Sequence, residues 1–243
     1  MPSRNWVQLL GVRVDNVTWA SLDEYFRQSL KGTSPQQVVT VNGEHILAAS
    51  HEARHREVIN NAHLVVPDST NVLWASRLKG RGLAQKTPGV DIVLHLAQIA
   101  AETGASLFLL GSRPGIAQRA ADKLQAQFPD LKIAGVSSAD PAEPYLSKRI
   151  RDARADIVLV AYGAPKQEYW TAEHKKETGA KILVGVGGTF DILAGVLPRA
   201  PQLWRYLQLE WLWRLILQPS RIGRIWNAVV VFPFKVVFWT DRA

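Results

Sequence analysis

Four stretches combine residue types that could carry a reaction. Asp68 stands directly after Val65-Val66-Pro67. A carboxylate at a strand end acts as a general base when it is held beside a hydroxyl. The same position suits an N-cap for a helix over 70–78, and spacing alone favours the cap. Gly111-Ser112-Arg113-Pro114-Gly115 is a glycine turn leading into a helix. Free amides and the helix dipole there attract an anion such as phosphate, and Arg113 would add charge. Gly185-Val186-Gly187-Gly188-Thr189-Phe190-Asp191 is a second glycine-rich exit. Its backbone can approach a ligand closely, with Asp191 bonding a sugar or base hydroxyl. The alternative is a tight turn with Asp191 on a solvated helix. His51-Glu52-Ala53-Arg54-His55 matches the H-E-x-x-H zinc pattern. The extended form needs a glycine and a histidine where the chain has Val58 and Asn61, so a polar helix face is expected and no metal site.

Other chemistries drop out. There is no cysteine, which excludes a disulfide scaffold, a thiol nucleophile, a thiolate zinc site and an iron–sulfur protein. Neither G-x-G-x-x-G nor G-x-x-x-x-G-K-[ST] occurs, which weighs against a nicotinamide dehydrogenase and against ATP hydrolysis. A dehydrogenase is kept as the alternative reading, because other nucleotide-dependent enzymes share the same sheet.

Positioning these residues requires a regular scaffold. The 243 residues are 47% apolar and 21% charged, enough to bury a core. Short runs rich in Val, Ile and Leu lie at 37–42, 64–67, 106–111, 132–136, 156–161 and 181–186, as in buried parallel strands. Helical patterns fill the gaps. Ser21-Leu22-Asp23-Glu24 reads as a capping box. Segments 88–103, 114–128, 141–153 and 165–178 each open with proline, which suits a first helical turn. The alternation predicts a Rossmann-like α/β fold, a mostly parallel sheet with helices on both faces and ligands beyond the carboxyl ends of the strands.

The charge is uneven. From Arg199 onward seven basic residues (Arg199, Arg205, Arg214, Arg221, Arg224, Lys235, Arg242) face two acidic ones, Glu210 and Asp241, within a total of +8. The same stretch holds five of the nine tryptophans. A boundary is therefore expected near Leu197-Pro198, dividing a core, 1–198, from a basic appendage, 199–243. Residues 201–218 read as one helix ended by Pro219, with Trp204, Leu207, Trp211 and Leu215 on one side and Leu209, Trp213 and Ile216 on another. Two apolar sides need two covers. Tryptophan with arginine suits a membrane interface, and basic residues near anionic lipid contribute about 1 kcal/mol each. The opening residues hold no signal-peptide core and no stretch reaches the roughly 20 apolar residues of a span, so a cytoplasmic protein, peripheral on the inner membrane, is expected. Nucleic acid is not expected as a partner. The apolar tail also leaves room for self-association into a homo-oligomer.

The motif set resembles the WecG/TagA/CpsF glycosyltransferases, glycosyltransferase family 26. The pieces are Val39-Thr40-Val41-Asn42 with Glu44, Val66-Pro67-Asp68, Thr87-Pro88-Gly89-Val90-Asp91, and Phe108-Leu109-Leu110-Gly111-Ser112 with Pro114-Gly115. They continue with Gly163-Ala164-Pro165-Lys166-Gln167-Glu168, Gly185 to Asp191 and the Arg/Trp-rich tail. The resemblance spans residues 7–224. It implies inverting, metal-independent transfer of an N-acetylmannosamine-type sugar or a hexose from a UDP-sugar donor. The acceptor would be a polyprenyl pyrophosphate-linked saccharide, in polysaccharide biosynthesis, with no cofactor. By motif position, Asp68 matches the general base, and Thr40 and Asn42 match residues beside the donor sugar. Gln167 and Asp191 match donor contacts. Gly111, with Ser112 and Arg113 in its turn, and Gly187-Gly188 would form the floor for diphosphate and nucleoside. Arg214, Arg221 and Arg224 match appendage arginines that reach pyrophosphate, a role that a metal-free site assigns to cations. Gly43 departs from the family's frequent proline, which loosens the turn and bears on donor identity.

Overall fold

The computed structural model describes residues 5–239; the expected tail charges Asp241 and Arg242 lie outside them. The chain opens with a hairpin, β1 (Trp6–Leu9) and β2 (Val12–Asp15), that the sequence reading did not separate. Its turn places Leu10 and Gly11 at positive φ (51° and 82°), the geometry that matches strand twist in a two-residue loop. Val7, Leu9, Val12 and Val14 bury one face.

The other strands are β3 (Gln36–Val41), β4 (Leu64–Pro67), β5 (Ser106–Gly111), β6 (Lys132–Ser137), β7 (Ile157–Ala161) and β8 (Ile182–Gly185). They form one parallel sheet in the order β4-β3-β8-β7-β5-β6. Each of the six runs read from sequence is a strand, displaced by a residue at most at either end. Alternate residues serve opposite cores. Val38, Leu64, Leu107, Ile157 and Ile182 point one way, while Val39, Val65, Phe108, Val158 and Leu183 point the other. A period of two with both faces apolar is what a doubly covered sheet requires. At the edge, Asp15 Oδ2 accepts from the Val65 amide at 2.8 Å.

The helices are α1 (Trp19–Lys31), α2 (Gly43–His51), α3 (Ala53–Asn60), α4 (Thr70–Leu78), α5 (Gly89–Thr103), α6 (Ile116–Gln127), α7 (Leu146–Asp152), α8 (Lys166–His174) and α9 (Thr189–Leu193). The C-terminal ones are α10 (Gln202–Tyr206), α11 (Glu210–Leu217), α12 (Ile222–Trp226) and α13 (Phe232–Phe238). Helices α1, α5, α6 and α9 cover one face; α2, α3, α4, α7, α8 and α13 cover the other.

Several starts differ from the sequence expectation, each for a local reason. Ser21 is the third residue of α1, not its cap: Thr18 Oγ1 accepts from the Ser21 amide, and Ser21 Oγ accepts from the Thr18 amide. Helix α7 starts at Leu146, because Pro144 disfavours helical geometry at Glu143. Residues 201–218 are two helices rather than one. Gln208 adopts φ +61° and its side chain hydrogen-bonds Thr70 Oγ1, so a tertiary anchor overrides helix propensity. The break folds Trp204 onto Trp213, with ring centroids 5.5 Å apart, although an unbroken helix would hold them on different sides. Between α12 and α13 the helix widens into a π-type turn over Asn227–Val231, just before Pro233, which has no N–H to give and crowds the preceding turn.

Candidate functional site

The crevice follows from topology. Strand β3 passes into α2 on one face, and its neighbour β8 passes into α9 on the other. Diverging helices leave a gap beyond the carboxyl ends of the two strands. Thr40, 5% exposed, ties them there: its Oγ1 donates to the Gly185 carbonyl at 2.9 Å. Asn42 caps α2, its Oδ1 accepting from the His45 amide at 3.0 Å.

Asp68 ends β4 one strand away. Spacing favoured it as the cap of α4, but the residue at that cap is Ser69. Asp68 Oδ1 instead accepts from the Gly89 amide at 2.7 Å, at the start of α5. Gly89 leaves little room for a side chain: a Cβ would sit 3.0 Å from Thr189 Oγ1. Burial pushes the Asp68 carboxyl above its ordinary value, against the pull of the Gly89 hydrogen bond and of the His45 and Arg214 charges.

The exits of β7 and β8 are joined by Gln167, which is fully buried. Its Oε1 accepts from the Gly163 amide (3.1 Å) and from the Gly187 amide (3.0 Å). The Arg214 guanidinium lies over the Gly187-Gly188 turn, with Nη2 3.4 Å from where a Gly188 Cβ would be.

The C-terminal helices close the crevice. Arg224 Nε donates to Glu44 Oε1 at 2.6 Å. Lys86 pairs with Glu210, and Arg199 pairs with Asp91 at 2.5 Å. Arg214 and Arg221 make no ion pair among the described residues. Burial, together with the Arg214 and Arg224 charges, pushes the Arg221 guanidinium below its ordinary value, although arginine stays cationic at neutral pH. Three like charges held together without their full complement of counter-ions make a site suited to an anion.

These groups surround one cavity of about 390 Å³. Of the residues singled out in the sequence, Thr40, Asn42, Asp68, Gln167, Gly187, Gly188, Arg214, Arg221 and Arg224 line it. Gly111, Ser112, Arg113 and Asp191 do not. Gly111 (φ +96°) lets β5 approach β7, since a Cβ would lie 3.0 Å from the Ala161 carbonyl. The Ser112 amide is already bonded to that carbonyl at 3.1 Å. Arg113 Nη2 pairs with Asp191 Oδ1 at 2.8 Å, neutralising both, although the Asp191 charge still reaches Arg221.

The H-E-x-x-H match is not a polar helix face. Glu52 is extended between α2 and α3, so the two histidines sit on separate helices. His55 is 1% exposed, while His51 Nε2 meets Lys235 Nζ at 2.7 Å. Among the described residues no three His, Asp or Glu side chains converge as a metal site.

Sequence reading missed His45, Asn71, Trp74, Gln208 and Glu210, which also line the cavity. His45 alone had a local signal, one residue past Glu44 in the Asn42-Gly43-Glu44 motif. The others arrive through the folded-back tail or from the body of α4.

Comparison with known proteins identifies the family. A model of the glycosyl transferase WecG/TagA/CpsF family matches residues 7–242. Three Staphylococcus aureus proteins, from strains MRSA252, NCTC 8325 / PS 47 and COL, are each 31% identical over 233 residues, covering 95% of this chain and 91% of theirs. Each is named N-acetylglucosaminyldiphosphoundecaprenol N-acetyl-beta-D-mannosaminyltransferase. The dehydrogenase alternative therefore falls: this chain belongs to the WecG/TagA/CpsF family and is a glycosyltransferase.

Proposed function

We propose that this enzyme transfers an N-acetylmannosamine-type sugar from a UDP-sugar to a saccharide linked through diphosphate to a polyprenol, at the inner membrane surface. One observation carries the mechanism. Three carboxylates line the cavity, Glu44, Asp68 and Glu210. Glu44 is paired with Arg224 and Glu210 with Lys86, whereas Asp68 has no ion-pair partner among the described residues and accepts from a backbone amide. A single unpaired carboxylate is what a single displacement needs: one base and no second carboxylate to form a glycosyl-enzyme.

The acceptor hydroxyl oxygen bonds to the anomeric carbon as its proton passes to an Asp68 carboxylate oxygen. The bond from that carbon to the diphosphate oxygen breaks, and UDP leaves with the electron pair. Attack opposite the leaving group inverts the anomeric centre. Arg214, Arg221 and Arg224 face the charge that develops on the diphosphate, the part a divalent cation plays elsewhere. Gly187-Gly188 lies beneath Arg214 and supplies a floor without side chains.

The membrane part of the reading rests on the tail. Tyr206, Ile222, Trp226, Phe234, Val237 and Phe238 are each more than half exposed, on the segment that also carries Arg205, Arg224 and Lys235. Among the described residues no helix is long and apolar enough to cross a membrane. Apolar and basic groups displayed together support docking at an anionic lipid surface.

Calorimetric titration with UDP tests the donor class, with EDTA present and with NAD as comparator. Saturable UDP binding that survives EDTA is expected, followed by transfer from UDP-N-acetylmannosamine to a lipid-diphosphate N-acetylglucosamine acceptor. Absence of UDP binding, also in the presence of lipid vesicles, would overturn the reading.

A further inference from the structure

Gln167 and Glu168 are adjacent and both buried, at 0% and 1% exposed. A glutamine amide has two nearly isosteric orientations. Here Oε1 must face the amides of Gly163 and Gly187, because the reverse orientation would set an NH₂ against two N–H donors. On the other side Gln167 Nε2 donates to Glu168 Oε1 at 2.8 Å, which holds the amide in that same orientation. Gly185 makes the space, since a Cβ there would lie 2.8 Å from Gln167 Nε2. Three glycines, 163, 185 and 187, thus surround one oriented amide.

Stability alone does not account for Glu168. Among the described residues its Oε2 has no hydrogen-bond partner, and neither has either ring nitrogen of nearby His55. Burial holds the His55 imidazole below its ordinary value, so it offers no compensating charge at neutral pH. A buried carboxyl that makes one hydrogen bond and leaves one oxygen unpaired is a poor stabiliser compared with an apolar side chain of similar shape.

We infer that Glu168 is a positioning residue, which orients the Gln167 amide and through it fixes the Gly163 and Gly187 turns against which the donor diphosphate is held. The donor part rests on the glycosyl-transfer reading above; the positioning of the turns does not.

The test compares Glu168→Met, Glu168→Gln, Gln167→Ala and the Gln167→Ala/Glu168→Met double variant. Three quantities are measured: Tm, amide hydrogen exchange at Gly163 and Gly187, and UDP titration. Glu168→Met is expected to melt at or above the wild-type temperature, to exchange both glycine amides faster, and to bind UDP about tenfold more weakly, the scale of one hydrogen bond. Glu168→Gln keeps an amide oxygen for Gln167 and is expected to restore the slow exchange. In the Gln167→Ala background Glu168→Met should add nothing to the glycine exchange rates or to the loss of UDP binding. A Glu168→Met protein that is destabilised or unfolded, or that keeps slow exchange at both glycines, would overturn the inference, as would additive effects in the double variant. If the wild type binds no UDP, the donor reading fails, and the exchange measurement still decides the role of Glu168.

Discussion

Asp68, the proposed general base, shows how one environment bears on basicity and on stability with opposite signs. Burial makes its carboxyl a stronger base than a solvated one. Asp68→Asn keeps an oxygen for the Gly89 amide but cannot take a proton, so kcat should fall about 10²- to 10⁴-fold with UDP binding retained. The wild-type rate should rise with pH through a midpoint above the usual carboxylate range. Because the folded pKa lies above the unfolded one, the stability linked to Asp68 is complete below the unfolded value and is lost as pH rises through the folded value. Asp68→Asn should therefore melt higher than wild type at pH 7, with the margin closing towards pH 4; an unchanged margin across that window would refute the raised pKa. Arg221 follows the same logic. It is pushed down by burial and by Arg214 and Arg224, so Arg221→Gln should raise the Tm of the empty enzyme while weakening UDP binding, and UDP titration beside a melt separates the two effects.

At the scale of elements, the contact between α2 and α13 is set by Gly43. A Cβ there would lie 2.6 Å from the Phe232 ring and 2.7 Å from Asn71 Nδ2. Asn71 Nδ2 in turn donates to the Ala228 carbonyl at 2.7 Å, and Phe232 and Val236 are fully buried against the hairpin side of the sheet. Gly43 is thus a position where the tail comes against α2. Gly43→Ala should overpack this contact and cost about 1–3 kcal/mol, read as a lower denaturant midpoint with faster proteolysis after residue 226; unchanged values would mean that the tail yields at no cost. This contact also marks what the sequence could reveal. The parallel strands were legible because each is a short apolar run whose partners do not alter its period. Asp68 and Gly187-Gly188 were legible because they follow such runs directly, and Gln167 because it falls in the Gly163 to Glu168 motif that carries the resemblance. The Gln208 break, the pairing of Trp204 with Trp213 and the entry of Asn71 into the cavity were not, since each depends on Thr70, Phe232 or Ala228 arriving from far along the chain. The Gly111-Ser112-Arg113 turn lies outside the cavity lining. A glycine exit from a strand looks the same whether it cradles an anion or, as Gly111 does, lets a neighbouring strand come close.

Across the whole molecule, the cavity is walled by the same C-terminal segment that displays the exposed aromatic and aliphatic side chains. Trp211, Arg214, Arg221, Arg224, Ile225 and Val229 line the interior, and Ile222 and Trp226 of α12 and Phe234 of α13 are exposed. An acceptor whose polar end carries a diphosphate and whose other end is a long hydrocarbon needs this juxtaposition, because its two ends belong in different media. Lipid and a second copy of the chain are the two covers that such a surface can take, and their signatures differ. Docking on lipid predicts co-sedimentation with vesicles containing phosphatidylglycerol and weaker recovery with phosphatidylcholine alone, since each basic residue contributes about 1 kcal/mol only where the surface is anionic. Trp226→Ser combined with Phe234→Ser removes two large apolar contacts, roughly 1.5–3 kcal/mol each if fully buried. Vesicle binding should then fall at least tenfold while UDP affinity holds, because neither side chain lines the cavity. If the exposed face is instead covered by a second copy, wild type will sediment as a dimer without lipid, and the double variant will be monomeric with no change in vesicle recovery. That pair of results would transfer the role of the tail from membrane docking to assembly.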